Sequence, residues 1–173
     1  LLERALRRSP KERAEHLMLV DLARNDLGRV CAPGSVAVEK FLQVRRFSNV
    51  MHLVSEVQGR LERGRTAWDA LKASFPAGTV SGAPKVRAME LIAGLEPGPR
   101  GFYAGAVLQH DFSGNLDSCI AIRALSLKRG RARLQAGAGI VADSRPQKEY
   151  QEVFHKLLGL RRALALAHDP AYR

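Results

Sequence analysis

The chain has 173 residues, 46% of them hydrophobic, and a formal net charge of +11. That apolar content suffices for a packed core and excludes a disordered chain, and no apolar run approaches the roughly 18 residues of a membrane span. The basic residues are spread over RALRR, RLERGR, KRGRAR and a late RR, outside any nucleic-acid motif, and aromatics are only 6%; neither a nucleic acid nor a membrane is an expected partner.

The first expected helix opens at SPKE. Ser9 suits the N-cap, Pro10 the first helical position, and Glu12 the place of a capping-box partner. It runs through RAEHLMLVDLARNDL and stops at Gly28, with HLMLV well buried. VAVEKFLQVRRF and NVMHLVSEVQGRL read as strands. Thr66 with Asp69 opens a short helix, AWDALKASF, and PAGTVSGAP is read as an irregular loop before a helix that starts at Pro84. Three strands follow as a meander, turning at Ser113-Gly114 and Arg129-Gly130. The last helix spans Pro146 to Ala167, with Tyr150, Val153, Phe154, Leu157, Leu160 and Leu164 as its apolar stripe. The order predicts an α+β fold: layers of mostly antiparallel sheet with packed helices. Cys31 and Cys119 have no metal-ligand spacing and suit a reducing cytoplasm. The chain begins at Leu1, with neither Met nor a signal peptide, so the expectation is a piece of a larger protein.

Two acidic pairs stand out. Glu149, Glu152 and Lys156 share one face of the last helix, beside the apolar stripe, and Glu12 and Glu15 share a face of the first. A solvated Glu152–Lys156 pair explains part of this, and Glu12 can serve as the acceptor for Ser9. Glu15 has no such role. If the helices meet, four carboxylates repel one another, and a hard divalent cation relieves this. In FPAGTVSGAPK, Gly78 and Gly82 allow close backbone approach, Thr79 and Ser81 bring hydroxyls, and a helix N-terminus follows; an ordinary loop is the alternative. QAGAGIV offers the amides around Gly137 and Gly139, or else a β-bulge. Arg123 interrupts the apolar CIAIRAL, where a buried guanidinium needs either a carboxylate ligand or a structural Asp. Taken alone, His52 reads as a core histidine and Tyr103 as a strand aromatic.

KERAEHLMLVDLARNDLGRV, VMHLVSEVQGRL, FPAGTVSGAPKVRAMELI, DFSGNLDSCIAIRAL and QAGAGIVADSRPQKEYQEVFHK resemble the chorismate-utilising enzymes, and among them the large synthase subunits of anthranilate synthases. The motifs run in order from about Pro10 to Leu160. The resemblance implies the C-terminal part of a chorismate-binding catalytic domain, with an upstream portion, including a tryptophan feedback pocket, missing from residues 1–173. It implies Mg²⁺ as cofactor, with Glu15 and Glu152 as direct ligands and Glu12 and Glu149 acting through water. It assigns chorismate contacts to Gly78, Thr79, Tyr103, Arg123, Gly137, Ala138, Gly139 and Lys156, and the elimination half-reaction to His52. The implied partners are chorismate and a glutamine amidotransferase subunit that delivers ammonia.

Asn49 stands where the family often has His, and Leu108-Gln109-His110 where small or aromatic residues are usual. Aminodeoxychorismate, isochorismate and salicylate synthases share the metal cradle, and PAGTVSGAPKVRAME with DLARNDLGRV leans towards the anthranilate synthases. An inactive truncated homologue is the alternative of a different kind. Retention of all four glutamates speaks against it.

Overall fold

The structure, a computed structural model, describes residues 2–46 and 51–169. Its fold class is the expected mixture of helices and antiparallel strand pairs. The chain divides into two compact units, Leu1–Leu91 with His110–Leu116, and Ile92–Gln109 with Asp117–Arg173.

In the first unit, α1 (Leu2–Arg8) leads into α2 (Pro10–Gly28). Ser9 caps α2 as expected, its Oγ accepting the Glu12 N–H at 3.3 Å. The return half of the box is not made by Glu12, because the Ser9 N–H donates to Leu6 O. Gly28 ends the helix without a left-handed cap: Arg29 keeps φ −79°. The expected burial of HLMLV is not met. Val20 is buried, but Leu17 is 40% exposed, because only one side of α2 is covered.

Two strands follow, β1 (Ala37–Arg46) and β2 (Met51–Gln58), paired antiparallel with two register shifts. Leu42 takes φ 51° at the second shift, between Lys40 and Gln43, and its N–H donates to Ser55 Oγ at 3.0 Å. Phe47, Asn49 and Val50, assigned above to these strands, lie outside the described residues. Helix α3 (Ala67–Ser74) starts where Thr66 and Asp69 predict it: the Asp69 carboxylate accepts from the Thr66 N–H at 2.8 Å and the Thr66 hydroxyl at 2.9 Å. The small core of this unit gathers Val30, Cys31 and Ala73, with Leu27, Val36 and Leu61 against them. PAGTVSGAP is not wholly irregular, since Gly78–Ser81 form one helical turn, α4. Helix α5 (Lys85–Leu95) comes next.

The expected meander is two separate hairpins. Strands β3 (Ala106–His110) and β4 (Leu116–Ile120) form one, with Gly114 at φ 90° in the turn. Strands β5 (Leu125–Lys128) and β6 (Arg131–Leu134) form the other, through Arg129 at φ 49° and Gly130 at φ 73°. The physical break is Arg123, whose φ of 54° turns the backbone out of the extended region between β4 and β5. Residues 135–141 leave the ladder, so Gly137 and Gly139 lie in coil and not in a bulged strand. Helix α6 (Pro146–His168) closes the order.

Candidate active site

Each unit carries its own share of the residues singled out by sequence. In the first unit, Glu12 is exposed and Glu15 half-buried on α2. His52 is exposed on β2 opposite Arg45, which removes its reading as a core histidine. A different histidine is the half-buried one. His16 Nε2 lies 2.6 Å from Ser55 Oγ, and burial pushes its pKa below the ordinary value.

The segment carrying Gly78 and Thr79 is clamped at both ends. Lys85 Nζ donates to Asp26 at 3.0 and 2.8 Å and lies 3.4 Å from Ser74 O, so one ammonium joins the ends of the segment to α2. Gly78 is held tightly against α2: a Cβ there would lie 2.6 Å from Leu22 Cδ1. Gly82, at φ 119°, meets the requirement that only glycine fills comfortably. Sequence reasoning missed the Asp26–Lys85 pair. The available signal was an acidic residue in the last turn of a helix, where the carbonyl ends disfavour it unless a cation answers.

In the second unit, five of the expected residues come together. Lys156 Nζ donates to Gly137 O at 2.9 Å and pairs with Glu152 Oε1 at 2.5 Å. Arg123 Nη1 donates to Lys156 O at 3.3 Å. A Cβ at Gly137 would lie 3.0 Å from the Tyr103 hydroxyl. Several expectations change in detail. Arg123 is exposed, because its positive φ swings it out of the strand where burial was expected. Tyr103 lies in a turn before β3, half-buried, and burial raises the pKa of its phenol. Glu149 is 5% exposed and lies on the packed side of α6. Tyr150 and Phe154, expected in the apolar stripe, are 66% and 42% exposed and stack edge to face on each other. The covered side of α6 therefore follows Glu149, Val153, Lys156 and Leu160, with the glutamate at the helix N-terminus, where backbone N–H groups favour a carboxylate. Ala138 is half-buried, and Gly137 and Gly139 are exposed. Gln135, two residues before Gly137, keeps its Oε1 buried without a hydrogen-bond partner among the described residues.

The acidic residues supply hard oxygen donors, the type Mg²⁺ takes. Each unit contributes two of the four glutamates, and among the described residues no three His, Cys, Asp or Glu side chains gather as a metal site. Cys31 is buried and Cys119 exposed, both as free thiols. Among the described residues no helix is long and apolar enough to cross a membrane.

A sequence profile described as chorismate binding enzyme matches residues 1–162. Anthranilate synthase component 1 of Mycobacterium tuberculosis is 58% identical over 171 residues, 99% of this chain and 33% of that protein. The crystal structure of anthranilate synthase component I from Streptococcus pneumoniae superimposes with a TM-score of 0.85 at 55% identity, covering 90% of this chain and 36% of that one. A Bacillus anthracis protein assigned as a 2,3-dihydroxybenzoate-specific isochorismate synthase gives a TM-score of 0.84 at 30% identity, covering 94% and 43%. The chain spans about a third of the length of the curated relatives it matches.

Proposed function

The chain belongs to the family of chorismate binding enzymes, and we propose that it forms part of the large subunit of an anthranilate synthase. The observation that carries this reading is a contrast. Fold likeness is the same for the anthranilate and isochorismate structures, 0.85 and 0.84, whereas identity is 55% against 30%. The shared backbone fits several reactions, and the side chains favour one.

The proposed activity is Mg²⁺-dependent amination of chorismate followed by loss of pyruvate, giving anthranilate for tryptophan biosynthesis in the cytoplasm. Ammonia would come from a glutamine amidotransferase subunit. Glu15 and Glu152 would hold the Mg²⁺, with Glu12 and Glu149 acting through water; the carboxylate character of all four fits such an ion. Bound there, the ion would act as a Lewis acid on the ring carboxylate and ease loss of the 4-hydroxyl.

The remaining residues would bind and orient a dianion. Arg123 offers a planar fork and Lys156 an ammonium, and the hydrogen bond from Arg123 to the Lys156 carbonyl, with Lys156 in turn on Gly137 O, supports a shared role in holding a carboxylate. The amides of Gly137, Ala138 and Gly139 are free of the strand ladder and fit the same anion. Gly78 and Thr79 would contact the ring from the clamped segment, and Tyr103 would donate its hydroxyl. Exposure of His52 is consistent with its reaching a substrate, where it would move a proton near the departing enolpyruvyl group.

The test uses the polypeptide carrying this sequence at its encoded length, supplied with chorismate, Mg²⁺ and ammonium. Anthranilate fluorescence is the expected signal, and Glu152→Gln abolishes it. Isochorismate or 4-aminodeoxychorismate as sole product would overturn the assignment.

A further inference from the structure

Upstream of Tyr103 lies an ion pair that the proposed chemistry does not use. Glu96 closes α5's last turn and accepts from Arg100 three times, at 3.1 and 2.9 Å from Nε and 2.6 Å from Nη2. This two-sided grip fixes the plane of the guanidinium. The pair is partly covered, with side-chain exposures of 23% for Arg100 and 33% for Glu96. The Arg100 guanidinium carbon lies 5.6 Å from the centroid of the Tyr103 ring, within cation–π range. The other edge of that ring, its hydroxyl, abuts Gly137, the residue whose carbonyl oxygen holds Lys156.

Tyr103 is half-buried and lies in a turn, not in a strand. Its backbone neighbour Ala104 sits at φ 66°, so the turn itself is an unusual one for a side-chain-bearing residue. A guanidinium locked by a carboxylate supplies one wall for the Tyr103 ring. From this geometry we infer that Arg100, held by Glu96, is a positioning residue that fixes the Tyr103 ring against the Gly137 segment so that its hydroxyl is aimed at a substrate carboxylate. The inference rests on the proposed role of Tyr103 as a chorismate contact. Arg100 lies over the ring, and its effect on the substrate would pass through Tyr103. Burial disfavours the Tyr103 phenolate, the Arg100 cation opposes this, and the Glu96 carboxylate adds to it.

The experiment compares wild type, Arg100→Gln, Arg100→Lys, Tyr103→Phe and the Arg100→Gln/Tyr103→Phe double variant. Two readouts are taken: chorismate affinity by equilibrium binding, and the phenol titration of Tyr103 by ultraviolet difference against Tyr103→Phe. Arg100→Gln is expected to weaken chorismate about three- to ten-fold, the scale of a partly covered cation–π contact. The loss should vanish in the Tyr103→Phe background if the hydroxyl is what Arg100 aims, and Arg100→Lys should recover part of it. The phenol midpoint should move up in Arg100→Gln, since a stabilising cation has gone. An Arg100→Gln loss that persists undiminished beside Tyr103→Phe, or no loss where Tyr103→Phe produces one, overturns the inference. A wild type that does not bind chorismate refutes the proposed function instead. In that case the phenol titration decides: a midpoint indifferent to Arg100→Gln overturns the ring-holding role, and a raised one retains it.

Discussion

Lys85 and Asp26 show what a single pair of residues decides. Their side chains are 16% and 11% exposed, and the ammonium also reaches Ser74 O, so the pair ties α2 to both ends of the segment carrying Gly78 and Thr79. Removing one partner strands a covered charge, which costs about 3 kcal/mol, whereas replacing both with apolar residues of similar volume recovers most of it. In the polypeptide at its encoded length, Lys85→Met should therefore lower the urea-unfolding free energy by about 3 kcal/mol. Asp26→Leu/Lys85→Met should be markedly more stable than Lys85→Met alone; equal loss in the two would show that the pair is not the clamp. At this scale the sequence is legible only where partners are close along the chain. The Glu152–Lys156 pair is an i, i+4 contact and is readable. The Asp26–Lys85 pair is 59 residues apart and is not. The burial of Glu149 is not legible either, because helical periodicity places charged residues outside. Its burial depends on what covers α6 at its first turn.

Elements were the most readable level, because caps are local chemistry. Ser9 and Thr66 start their helices where expected, and Pro146 stands at the start of α6. What escaped was backbone conformation at residues with no glycine signal. Arg123 at φ 54° splits one expected strand into β4 and β5, and nothing in CIAIRAL announces it. The turn α4 was equally hidden, since a helix of four residues has no periodicity to read. Its seat on α2 gives a prediction. Gly78→Ala forces a methyl toward Leu22 Cδ1, at 2.6 Å before any shift, and a flexible leucine tip makes the cost moderate, about 1–2 kcal/mol. In a Leu22→Ala background the same change should cost less, as coupled neighbours require. Thermal unfolding of the four proteins, each at its encoded length, checks this, and strict additivity would mean that α4 does not pack there.

At the scale of the whole chain, the apolar surface is out of proportion to the core. Among the described residues the buried hydrophobics are Val20, Val30, Cys31, Ala73, Ala104 and Ala121, and no large side chain is fully buried. Phe112, Leu95, Ile140 and Val86 are each more than 70% exposed. A chain so composed should not persist alone as a well-packed monomer. Expressed as these 173 residues, it is expected to self-associate on size-exclusion chromatography and to bind a hydrophobic dye; a dye-silent monomer with a cooperative melt would contradict that. Composition alone foresaw an adequate core. It could not show that the apolar residues face outward, because burial is decided by which surfaces meet. The proposed activity requires that carboxylates from both acidic pairs serve one divalent ion. Its most direct test is calorimetric titration of Mg²⁺ into the polypeptide at its encoded length with chorismate present, for wild type, Glu15→Gln, Glu152→Gln and the double variant. One site is expected, lost in each single variant and no further reduced in the double. Undiminished Mg²⁺ binding in either single variant would contradict it.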